Sequence, residues 1–82
     1  MKLFVKNLDE KVNEVLLEAI FKQFGDVLNT KIVYDHITWE SRGFAFVEFR
    51  KKEDALKAME ALNGKELVGR PLVVSEAVEK GK

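Results

Sequence analysis

The sequence predicts an α+β fold, a four-stranded antiparallel sheet carrying two helices on one face, in the order strand, helix, strand, strand, helix, strand. Three observations lead there. Apolar residues recur at helical spacing in two separate stretches, Leu17, Ile20, Phe21 and Phe24, and then Ala55, Ala58, Met59 and Leu62. Around them, β-branched and aromatic residues alternate with the two-residue period of half-buried strands. The chain has 82 residues, enough for one two-layer core and too few for a second lobe. Residues 1–78 are therefore read as one domain and 79–82 as a flexible tail.

The first strand runs from about Leu3 to Lys6. Asn13 is a good N-cap and Glu14 suits the positive end of the helix dipole, so the first helix starts there, with Val12 and Leu17 placed to staple its entry. Gly25 supplies a left-handed stop. Val15 and Leu16 fall off the apolar stripe and read as exposed, either tolerated surface residues or a weak partner-binding spot. A second strand spans Val27 to Tyr34, and Asp35 to Ser41 form the loop into the third, Phe44 to Phe49.

The second helix has a poor cap, since a lysine stands where Ser, Thr or Asp is expected, although Glu53 and Asp54 favour its first turn. Its small Ala55 and Ala58 allow close approach to the sheet, and Asn63-Gly64 end it. The turn Val68-Gly69-Arg70-Pro71 delivers the last strand, Leu72 to Ser75, with Leu72 and Val74 inward, Val73 and Ser75 outward, and Pro71 marking an edge strand.

With both helices on one side, the other face of the sheet stays open. Alternation puts Phe4, Phe44, Phe46, Val33 and Val73 on it, where a wet face would ordinarily be polar, and such a patch calls for a ligand or a partner. Arg42-Gly43-Phe44-Ala45-Phe46-Val47-Glu48-Phe49, together with Leu3-Phe4-Val5-Lys6-Asn7-Leu8, resembles the paired octapeptide and hexapeptide of the RNA recognition motif family. The resemblance extends from Lys2 to about Ala77. It implies the ferredoxin-like βαββαβ sandwich and binding of single-stranded RNA, with single-stranded DNA as a further candidate.

The same resemblance implies roles for individual residues. Phe4 and Phe46 would each stack under a base, Phe44 would pack against the sugar–base junction between them, and Arg42 would meet the intervening phosphate. Lys6 and Lys31 should share that face and add phosphate contacts, while Glu48 would accept from an exocyclic amine. Beyond the last strand, backbone groups of Ser75, Glu76 and Ala77 would read base edges. Stacking contributes ~1–3 kcal/mol per base, much of it offset by ordering the strand, so micromolar affinity is expected.

Trp39 stands in the loop before the third strand, where the family commonly has glycine and basic residues. It would stack on a base, meet a partner, or fold back over the sheet edge. His36 reads as a solvated loop residue, since no second histidine and no cysteine is present to complete a metal site. No metal or cofactor is expected.

Lys plus Arg and Asp plus Glu each number 14, so long-range attraction to phosphate is weak and affinity must come from local arrangement. No catalytic triad, phosphate-cradling loop or paired apolar carboxylates is present, and the chain is not read as an enzyme. The alternative is a protein-interaction module on the same fold, joined through Val15, Leu16 or Trp39 and with little affinity for RNA. An excised or engineered scaffold fits as well. No apolar run approaches the ~20 residues of a membrane span, and a monomeric intracellular protein, cytoplasmic in preference to nuclear, is expected.

Overall fold

Leu3 and Val5 alternate with Lys2, Phe4 and Lys6 in β1 (Lys2–Lys6), and the alternation decides which side of the sheet each occupies. In the computed structural model, which describes residues 1–77, Leu3 and Val5 are fully buried. The remaining elements are α1 (Glu14–Phe21), β2 (Val27–Tyr34), β3 (Ser41–Phe49), α2 (Lys52–Leu62), β4 (Glu66–Leu67), β5 (Arg70–Pro71) and β6 (Val73–Glu76). The main sheet has the order β2-β3-β1-β6, all neighbours antiparallel, so the two strands carrying the paired motifs are central and adjacent. This is the expected α+β sandwich.

The core lies between one sheet face and the two helices. Leu3, Val5, Ala45, Val47, Phe49 and Val74 come from strands, Leu17 and Phe21 from α1, and Ala55, Ala58 and Leu62 from α2. Phe21 and Phe49 meet across the layers at 6.3 Å. Ile20, Phe24 and Met59, also on the predicted stripes, pack half-buried at the margin.

The Asn13 side chain accepts from the Leu16 N–H at 2.8 Å and fixes the start of α1, while Val12 and Leu17 are both buried. Lys51 caps α2 without a side-chain bond, as expected of a lysine. The stop at Gly25 is not the expected left-handed one. α1 ends at Phe21, a 3-10 turn covers Lys22–Phe24, and Gly25 follows at φ 156°, ψ −173°. Glycine is required there twice over, because those angles are nearly closed to other residues and because a Cβ would run into the Asp54 side chain at the start of α2.

The segment before the last strand also differs. Val68 and Gly69, at φ 51° and 81°, form the two-residue turn of a separate hairpin, β4–β5, which contains Pro71. The last strand begins at Val73 and extends to Glu76; it is an edge strand, though Pro71 is not part of it. Leu72 and Val74 point inward and Val73 and Ser75 outward, as alternation predicts. Asn7, at φ 64°, donates its side-chain amide to the Pro71 carbonyl at 2.8 Å and accepts from Arg70 at 3.2 Å, docking this hairpin on the exit of β1. The expected tail, 79–82, lies outside the described residues.

Candidate nucleic-acid interface

Strand register converts the open face into a grid. Across its middle row run Lys31, Phe46, Phe4 and Ser75, each the direct neighbour of the next. One row to one side holds Asn29, Glu48 and Lys2, and the row on the other holds Phe44, Lys6 and Val73. Side chains directly opposite in antiparallel strands point the same way and touch. Most of the residues expected at the site are therefore brought together by pairing alone.

The rings interact with one another. Phe4 and Phe46 stack at 5.0 Å between centroids and 22° between planes, and Phe44 meets Phe4 edge-on at 5.5 Å and 72°. All three are half-buried, as rings packed side by side on an uncovered sheet must be. The Lys6 ammonium lies 5.7 Å from the Phe4 centroid and that of Lys2 5.9 Å from the Phe46 centroid, within reach of cation–π attraction. Lys2, Lys6, Lys31 and Arg42 outnumber Glu48 and Asp35 here, so this side of a formally neutral chain is locally cationic.

Arg42 stands at the end of the grid, 3.6 Å from the Asp35 carboxylate. Asp35 also accepts from the N–H groups of Ile37 and Thr38, at 2.8 and 3.1 Å, and these bonds, with Arg42 adding to them, hold its carboxyl below the ordinary range. Those contacts order the β2–β3 hairpin. A two-residue irregularity places Arg42, Gly43 and Phe44 opposite the single residue Val33, and Gly43 adopts φ 85° there while its carbonyl accepts from the Leu8 N–H at 2.9 Å. Ser41 is thus strand and not loop.

Trp39 sits at the hairpin tip at φ 62° and is 73% exposed, so it does not fold back over the sheet edge. Its backbone N–H donates to the Asp35 carbonyl and its side chain is open to solvent. Ile37 beside it is equally open. Val15, 77% exposed, and Leu16 lie on α1, across the core from the ring platform.

At the other end, the Ala77 N–H donates to the Lys2 carbonyl at 2.9 Å. That donor extends the β1–β6 pairing, which leaves the backbone carbonyls as the groups of this segment that could meet a base edge. Two residues absent from the sequence-based site complete the platform. Lys2 and Asn29, with Lys31, Val33, Phe46 and Glu48, line a depression of about 280 Å³ beside the Phe46 ring. The signal for Lys2 was its alternation with Phe4 and Lys6. For Asn29 the alternation is broken nearby, where an extra residue at Leu28 resets the register.

A family model described as RNA recognition motif matches residues 3–73. A glycine-rich RNA-binding protein of Daucus carota is 42% identical over 80 residues, 98% of this chain and 51% of that protein. Among solved structures, the crystal structure of RNA binding protein PG1 superposes with a TM-score of 0.94 at 39% identity, over 100% of this chain and 99% of that one. A Sex-lethal protein–RNA complex gives 0.92 at 32% identity, over 99% of this chain and 48% of the other. The chain spans about half the length of the curated relatives it matches.

Proposed function

The chain belongs to the RNA recognition motif family, and from that premise we propose that it binds single-stranded RNA on the open face of its sheet, by stacking and without catalysis. The observation that carries the proposal is the ring trio, Phe4, Phe44 and Phe46, half-exposed on a face that no element among the described residues covers and framed by lysines. Burying three aromatic side chains would stabilise the fold far more than leaving them at the surface, so a face that keeps them there is built for a planar apolar ligand. Bases supply that plane, and phosphates supply the partners for Lys6, Lys31 and Arg42.

Each ring takes a share of the ligand. Phe4 and Phe46 present faces to successive bases, Phe44 abuts the sugar, and Arg42 and the lysines neutralise phosphates. The similarity to a Sex-lethal protein solved in complex with RNA supports RNA as the ligand. Because only Lys6, Lys31 and Arg42 are assigned phosphates, few counterions are released and the salt dependence is shallow.

The test is a fluorescence-anisotropy titration of randomised single-stranded RNA octamers at two salt concentrations, with wild type and Phe46→Ala. Micromolar binding that Phe46→Ala weakens by about 1–3 kcal/mol is expected. Absence of binding at millimolar RNA, with the protein folded, overturns the proposal.

A further inference from the structure

Glu48 is a carboxylate on a face otherwise built to meet phosphates, and it stands at one particular place. It is the direct neighbour of Lys2 on one side and Asn29 on the other, two residues along β3 from Phe46, and all four side chains line the same depression with Lys31 and Val33. At about 280 Å³ the depression lies just below the ~300–1,000 Å³ of small-molecule sites, a size for one planar base. Resting on the RNA-binding reading above, we propose that this depression selects guanine for the base stacked on Phe46, with Glu48 as its reader.

Donors and acceptors on the base edges decide which base fits. Guanine alone among the four bases carries two parallel donors on its Watson–Crick edge, the N1–H and the N2 amine, and a carboxylate accepts such a pair with both oxygens. Adenine and cytosine each offer one amine beside a ring nitrogen whose lone pair repels the carboxylate. Uracil offers a single N–H flanked by two carbonyls. Guanine's remaining acceptors, O6 and N7, suit the Lys31 ammonium and the Asn29 amide, which border the same depression.

The neighbouring Lys2 does not exhaust Glu48, because an ionised carboxylate has about four acceptor positions. Electrostatics gives a second reason to look for a specific role. A negative charge in this row weakens attraction to any RNA backbone, so its removal should raise general affinity while lowering discrimination. No purely structural role for Glu48 moves those two quantities in opposite directions.

The test measures affinities of uridine octamers carrying one central guanine, adenine, cytosine or inosine, for wild type, Glu48→Gln and Phe46→Ala. Inosine keeps N1–H and O6 but lacks the N2 amine. Expected is a preference of about tenfold for guanine over adenine, with inosine between them. Glu48→Gln should bind every octamer as tightly or more tightly, with the guanine-to-adenine ratio reduced to about twofold.

Equal wild-type affinity for all the octamers, still weakened by Phe46→Ala, overturns the guanine assignment and leaves the RNA-binding reading standing. A guanine preference unchanged in Glu48→Gln overturns Glu48 as the reader. Failure of every octamer to bind overturns both.

Discussion

The Phe4 and Phe46 rings lie 5.0 Å apart and only 22° from parallel, so each is one wall of the other's environment. They come from adjacent strands that pair these two residues directly, on the side of the sheet away from the core. Neither ring supports the core, and each supports the other. Phe4→Ala and Phe46→Ala should each leave the domain folded. In a double-mutant cycle read by urea unfolding, the two should be coupled by about 0.5–1.5 kcal/mol. Additive effects would mean the rings do not pack in solution.

Gly25 is held both by its own backbone angles and by contact with another element. A Cβ there would collide with Asp54, including the Asp54 Cβ at 2.6 Å. Gly25→Ala should therefore destabilise the fold by about 1–3 kcal/mol or more, through overpacking and backbone strain together. Adding Asp54→Ala should recover only part, since the backbone-proximal carbon and the strain at φ 156° both remain. Thermal or denaturant unfolding of both variants decides it.

Arg42 is held at 3.6 Å by Asp35. Asp35→Asn keeps an oxygen to accept from Ile37 and Thr38 but removes the charge opposing Arg42. RNA affinity should rise about two- to threefold at low salt, and the gain should fade at high salt as exposed charges are screened. The loop carboxylate also has a consequence for stability. With its pKa lowered in the fold, its contribution is present near neutrality and lost as the pH falls below the ordinary 3.8.

Tyr34 donates to Glu14 at 2.9 Å, and its ionisation is raised above 10.0 first by burial and then by the hydrogen bond and charge of Glu14. The unfolded chain loses this proton first, so the Tyr34 contribution is full below pH 10 and declines as the pH rises beyond it. Tyr34 is the sole tyrosine, and phenolate absorbance reports it directly. The titration midpoint should lie above 10 in wild type and move down in Glu14→Gln.

Elements with a strong period were legible from the sequence, and elements set by distant contacts were not. Leu17 and Phe21, or Ala45, Val47 and Phe49, announce their burial through spacing, and they are buried. The ring platform follows from the same alternation, because two central strands in register place Phe4 beside Phe46. The β4–β5 hairpin escaped because its strands are two residues long and its turn sets a valine at positive φ, which no turn preference anticipates. Part of the reason for Gly25 lies in α2, far along the chain. Asn29 reached the depression beside Phe46 through an extra residue in β2, and Trp39 stands exposed at a hairpin tip fixed by the Asp35 contacts. Sequence spacing carries none of these.

Heteronuclear shift mapping during a titration with single-stranded RNA tests the central claim most directly. Binding on the open sheet face predicts shifts concentrated on Phe4, Lys6, Lys31, Phe44, Phe46 and Glu48, abolished in Phe46→Ala, while Val15 and Leu16 on α1 stay unmoved. Shifts confined to α1 or to the Ile37–Trp39 tip, with the ring residues silent, would contradict the account.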